Sequence, residues 1–184
     1  MRRLLALVAL LLFAPGLNAT VLVPAEFREI VAGSQIIVYG RVVDVRPEWS
    51  DDRRRIDTVV SVEAGSYLKG GPAGVVTFRV PGGEIGRFKN VMIGAPEFQP
   101  GEEAVLFLRA DGPSMAQVFG LSQGVFRVRV DARSGQRLVI PPVLMASNDT
   151  PQTVIRGTRE RRPLALPAFA AAVRAAMAET GGVQ

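Results

Sequence analysis

The sequence predicts a mainly β protein: a small antiparallel Greek-key barrel with a short N-terminal helix and a C-terminal amphipathic helix. Three observations predict it. Three β-branched segments, beginning near Ile36, Ile56 and Val76, are separated by turn-forming stretches and read as an antiparallel meander. A long Gly- and Pro-rich excursion then leads into a segment that is apolar on both faces and on to a further hairpin. Stripes of helical period stand before the first strand and at the end of the chain. Meander, excursion and returning strands make the order of a barrel of the OB type, closed in part by helices.

At 184 residues, of which 48% are hydrophobic, the chain fits one globular domain and argues against disorder. Met1-Arg2-Arg3, the apolar run from Leu4 to Ala14, the Pro15-Gly16 break and Leu17-Asn18-Ala19 read as a signal peptide over residues 1–19, cleaved after Ala19. The apolar run is well short of the ~20 residues a spanning helix needs, so no stable membrane insertion is expected after cleavage. Removing Arg2 and Arg3 takes the formal charge from +5 to +3, a modest basic balance that does not imply nucleic acid. Without cysteine there are neither disulfides nor a lipid-modified thiol, so the expected location is periplasmic or secreted and the fold rests on its core. Arginine accounts for twenty of the 22 basic residues and lysine only for Lys69 and Lys89, a bias of GC-rich bacterial genomes that bears on source and not on function.

Residues 20–145 are expected to form the barrel with its N-terminal helix. PAEFREIVAG, residues 24–33, opens on Pro, spaces Phe27, Ile30 and Val31 helically and stops at Gly33. IIVYGRVVDVR, residues 36–46, is the first strand, with Gly40 marking a bulge or bend. PEWSDDRRR mixes charges of both signs and suits a solvated hairpin loop. In the second strand Ile56, Thr58, Val60, Val62 and Ala64 share one face, and Asp57, Ser61 and Glu63 the other. Val76, Phe78 and Val80 alternate in the third. AVLFLR, residues 104–109, is a central strand. Val118-Phe119 and residues 125–130 continue the sheet, with Phe126, Val128 and Val130 inward and Arg127 and Arg129 outward, and the DARSG turn leads into Leu138-Val139-Ile140. Residues 146–166 read as an irregular basic linker. Residues 167–180 form a helix whose stripe of Phe169, Val173 and Met177 docks on the barrel.

Several motifs invite a catalytic reading and fail on context. GLSQG, residues 120–124, spells the G-x-S-x-G of a nucleophile elbow, but a strand follows it, where the elbow needs a helix, and the chain has no histidine to activate Ser122. It reads instead as a glycine-flanked bend in a strand. Ser66-Tyr-Leu-Lys69 spells S-x-x-K, yet it lies at a strand end before a Gly-Gly-Pro turn and not on one helical turn. Pro81-Gly-Gly-Glu-Ile-Gly86 lacks the G-K-[ST] ending of a phosphate loop. Glu102 and Glu103 point to opposite faces of an extended chain and cannot serve one substrate as acid and base. Asn148-Asp-Thr150 spells a glycosylation sequon, which has little weight in a bacterial chain. Without His or Cys, and without a D-x-D-x-D-G loop, neither a metal, a cofactor nor a catalytic residue is expected.

GRVVDV, IDTVVSVEAGSYLKG and GEEAVLFL together resemble the netrin-like domain of netrins and tissue inhibitors of metalloproteinases, over residues 36–109. The resemblance implies an OB-like barrel whose second strand ends in a Lys-Gly turn. The same order is similar to exported bacterial proteins of unassigned activity. Inhibitors of that family place an amino-terminal cysteine on a catalytic zinc; here the mature chain would start at Thr20, so that device does not transfer. What the resemblance implies is a rigid barrel presenting loops to a protein partner. The expected function is an exported, non-enzymatic binding module, a modulator or inhibitor of a secreted protein such as a protease. An envelope-associated structural or adhesin-like protein is the alternative, and a serine hydrolase the remote one. The expected partner-binding edge is the excursion over residues 81–98, with Ile85, Arg87, Phe88, Met92 and Phe98; the competing reading folds these side chains back as a plug of the barrel.

Overall fold

The computed structural model describes residues 24–71, 74–110, 115–142 and 162–181. The expected signal peptide, the Asn148 sequon and most of the expected linker lie outside them. Helix α1 (Phe27–Ala32) opens on a capping box in which Glu29 accepts the Glu26 N–H at 2.8 Å and Glu26 accepts the N–H of Glu29. At its other end the Ser34 hydroxyl donates to the Ile30 carbonyl at 2.7 Å, and the Lys69 ammonium donates to the Val31 and Ala32 carbonyls at 3.0 and 3.4 Å. A cation on the last carbonyls completes what the helix itself cannot bond.

Strands β1 (Ile36–Trp49) and β2 (Ile56–Lys69) form one long antiparallel hairpin with bulges between Tyr39 and Gly40 and between Val42 and Asp44. Gly40 is required there, because a Cβ would lie 2.4 Å from the Glu63 carbonyl oxygen. The extra twist at the bulges lets the first half of β1 pair with β6 (Glu103–Arg109) on its other edge. With β3 (Val75–Pro81) and β7 (Ala116–Val118) the ring runs β1-β2-β3-β7-β6 and back to β1, a closed five-strand barrel. Its seam between β3 and β7 is parallel, and its other pairings are antiparallel, as the expected antiparallel barrel requires. The excursion after β3, carrying the small hairpin of β4 (Gly83–Ile85) and β5 (Phe88–Asn90), brings the chain across the barrel, so that β7 runs in the direction of β3.

Beyond β7 the chain stays on the same edge of β6. The Phe119 N–H bonds the Phe107 carbonyl at 2.8 Å, and Val125 is the partner of Leu106, so residues 120–124 are looped out of the ladder. They make a short 3₁₀ turn (Leu121–Gly124) that starts with left-handed Gly120. The expected bend in a strand is therefore a bulge. Its Gln123 is buried and accepts the Ala25 N–H at 2.6 Å, holding the start of α1. β8 (Val125–Val130), β9 (Arg137–Ile140) and β10 (Leu164–Ala165) extend the sheet, and α2 (Leu166–Gly181) follows. The irregular stretch predicted over residues 146–166 thus includes a short strand at its end, fixed by pairing with Leu138 and Val139.

β6 is apolar on both faces because it separates two cores. Inside the barrel Leu106 and Leu108 meet Val38, Val60, Phe78 and Val80. On the outside Val105 and Phe107 meet α1 and α2. There Phe27, Phe107, Phe126 and Phe169 form an aromatic cluster with centroids 5.1–6.3 Å apart and mostly edge-to-face. Phe126 and Val128 face this outer core and not the barrel. Val130, expected inward, is 61% exposed, since β8 at that point has run past the end of β6. Asp57, expected on the solvated face, is buried beneath Arg55 and Arg79, at 3.6 and 3.7 Å. On α2 the buried stripe is Phe169, Val173 and Ala176, with Met177 at its margin. Among the described residues no helix is long and apolar enough to cross a membrane.

Candidate partner-binding surface

The excursion leaves β3 through Gly82 and Gly83, whose φ values of +101° and +154° few other residues would adopt. It is tied at once to β2: the Gly82 N–H donates to the Ile56 carbonyl at 3.2 Å and the Thr58 hydroxyl donates to the Gly82 carbonyl at 2.7 Å. The β4–β5 hairpin turns on Gly86 and Arg87, with Gly86 at φ +59° supplying the left-handed first position that a two-residue turn of type II′ requires. Ile85 and Phe88 are then paired on one face, and Glu84 and Lys89 form an ion pair of 3.4 Å on the other.

Phe88 stacks edge-on against Trp49 at the end of β1, with centroids 5.4 Å apart, and the Arg87 guanidinium lies 5.1 Å from the Phe88 centroid. The contact is incomplete, and both rings stay open to solvent. Every residue from 88 to 93 is exposed, Ile93 at 89%. The chain then turns at Gly94, where the Ala95 N–H donates to the Met92 carbonyl at 3.1 Å and the Ser122 N–H to the Gly94 carbonyl at 3.0 Å.

Phe98 ends the excursion inside the barrel, edge-on against Phe78 with centroids 5.4 Å apart. The Arg127 guanidinium lies over its ring at 5.8 Å and bonds the Glu97 carbonyl and the Glu102 carboxylate. The five residues expected at the binding edge are therefore divided. Phe98 is the plug of the competing reading, Ile85 is half-buried under the hairpin, and Arg87, Phe88 and Met92 face solvent. Between plug and hairpin lies a groove of about 520 Å³ floored by Val45, Val80 and Phe98, with Glu84 and Lys89 at its wall.

Sequence reasoning assigned Trp49 to a solvated loop and missed its place beside Phe88. The signal was that it is the one tryptophan of the chain, at the end of a β-branched run. Val91 and Ile93 were visible as a short apolar piece, but their exposure depends on the turn at Gly94. Ser122 sits in the 3₁₀ turn ahead of β8, and Lys69, three positions from Ser66 on an extended strand, spans to the end of α1. Among the described residues no group of acidic side chains could hold a metal ion. Comparison with protein-family models, with curated proteins and with solved structures finds no match.

Proposed function

We propose that the protein is an exported, non-enzymatic binding module that engages a protein partner through the barrel end formed by Trp49, Arg87, Phe88, Val91, Met92 and Ile93. One observation carries the reading: an apolar edge is held out to solvent on a segment anchored at both ends, by Gly82 and Thr58 at its start and by Phe98 in the barrel core at its finish. Monomeric proteins seldom leave contiguous apolar surface of this kind without use, and aromatic residues with arginine are what interfaces concentrate at their centres. The preformed edge needs little ordering on association, which lowers the entropic cost of binding.

The netrin-like resemblance suggests the partner class, a secreted protein such as a protease, which the module would modulate or inhibit without the cysteine device of that family. The test is site-specific photo-crosslinking from position 93 of the mature chain in the secreted and periplasmic fractions of its own organism. A dominant protein adduct, absent when the crosslinker is moved to exposed Arg133 on the β8–β9 turn, is the expected result. Equal capture from both positions, or no adduct from folded protein, overturns the reading.

A further inference from the structure

The ladder of the β4–β5 hairpin shows how such a partner would be held. In a two-residue hairpin the closing pair, Ile85 and Phe88, exchanges hydrogen bonds, and so does the next-but-one pair, Gly83 and Asn90. The N–H and C=O of Lys89 lie between these and point away from β4, as do those of Val91. The contact geometry agrees, for the Asn90 carbonyl oxygen and the Met92 nitrogen come within 3.2 and 3.6 Å of the position a Cβ of Gly82 would occupy, placing those groups on the β4 side. Among the described residues β5 pairs with β4 alone. An open edge flanked by exposed apolar side chains is the template for adding a strand.

Charge selects the occupant. Arg87 and Lys89 flank the edge, whose one acidic neighbour in the hairpin is Glu84. A second copy pairing antiparallel about Lys89 would set that ammonium directly against its twin, and like charges directly opposite one another destabilise a strand pair; pairing about Asn90 would set Lys89 against Val91 and Arg87 against Ile93, with no acid to meet either. An added strand with acidic residues on the face of Arg87 and Lys89 and apolar residues on the opposite face, beside exposed Phe88, gains both the charge pairing and the burial.

We infer that residues 88–91 recruit an extended peptide segment of alternating acidic and apolar residues by adding it as a third strand to the β4–β5 hairpin. The inference rests on the proposed partner-binding reading and specifies its mode. The probe is a phage-displayed library of random linear peptides, selected on the mature protein, with the enriched peptides synthesised and their affinities measured. Acidic, alternating peptides that slow amide exchange at Lys89 and Val91 are expected. Val91→Pro removes one outward N–H while leaving the β4 bonds in place, and should weaken these peptides about tenfold or more. Val91→Ala, which keeps the N–H, should weaken them less. Arg87→Glu should weaken acidic peptides several-fold while thermal stability is retained. Enriched peptides without acidic residues, protection confined to other amides, affinity indifferent to Val91→Pro, or binding only to lipid vesicles or to a second copy would each overturn the strand-addition mode. A photo-adduct from position 93 that survives Val91→Pro would retire this mode and leave the binding module standing. Absence of any adduct from position 93 of the folded protein without the Val91 substitution would retire the module itself.

Discussion

The Tyr39 phenol donates a 2.7 Å hydrogen bond to Oε2 of Glu103, joining β1 to β6 at the closing seam of the barrel. Arg41 donates to the other carboxylate oxygen at 2.6 Å, and Arg137 on β9 donates to Oε2 at 3.2 Å, so one carboxylate ties three strands. Burial, then the adjoining carboxylate, raises the Tyr39 phenol above its ordinary value. The Tyr39 hydrogen bond, followed by the Arg137 and Arg41 charges, holds Glu103 below the ordinary 4.5.

A depressed carboxyl contributes stability that is present above its unfolded value and lost as pH falls through its folded one. Glu103→Gln should therefore cost about 1–3 kcal/mol at neutral pH, in the range of charge-assisted bonds to a partly buried group. The difference from wild type should shrink below about pH 4.5. Urea unfolding of both proteins at pH 7 and pH 3 checks it. An equal difference at the two values would show that the charged form contributes nothing.

Phe98 and Phe88 stand ten residues apart on one excursion and should respond oppositely. Phe98→Ala empties part of the barrel core and should cost about 3–5 kcal/mol. Phe88→Ala removes an exposed stack and should cost about 1 kcal/mol, while weakening a bound partner markedly. Arg87→Ala, losing the cation over that ring, should follow Phe88→Ala. Thermal unfolding beside affinity separates the cases, and a Phe88 variant that loses stability but not affinity would make this edge structural.

Gly40→Ala should destabilise the barrel by about 1–3 kcal/mol, as overpacking does. The new Cβ would meet the Glu63 carbonyl oxygen at 2.4 Å and Val62 Cγ1 at 2.6 Å, and a strand backbone cannot withdraw. The Cβ of Gly65→Ala would come no closer than 3.2 Å, to the Tyr39 ring, and this variant should cost less. Equal midpoints for the two variants in denaturant would contradict the bulge argument.

Ser122→Ala and Ser66→Ala should leave every activity of the protein unchanged, and a fluorophosphonate probe should not label either serine. Stoichiometric labelling at Ser122, read by peptide mass, would make the protein a hydrolase.

Secreted material should begin at Thr20, as an intact mass lacking residues 1–19 would show. A membrane-sedimenting product that keeps Met1 would make the apolar run an anchor.

The longer strands, the bend at Gly40 and the two helices were legible in the sequence because each depends on neighbours a few positions away: alternation in Val76, Phe78 and Val80, helical spacing in Phe27, Ile30 and Val31, glycine where Glu63 comes close; the short strands β4, β5 and β10 were not, since they exist only through their pairing. AVLFLR leaves no polar face to solvent and so reads as central, but the single core expected of the chain is in fact two, one inside the barrel and one under the helices. The sequence pattern could not say which apolar side chains of the excursion turn inward. Phe88 and Phe98 have the same hydrophobicity; the difference is that Gly94 reverses the chain between them and Arg127, from a strand distant in sequence, closes over Phe98. Trp49 likewise became part of the surface only when the β4–β5 hairpin folded against the end of β1. Local periodicity determined which segments would be buried or bent, and long-range packing determined which apolar side chains would be left open to solvent.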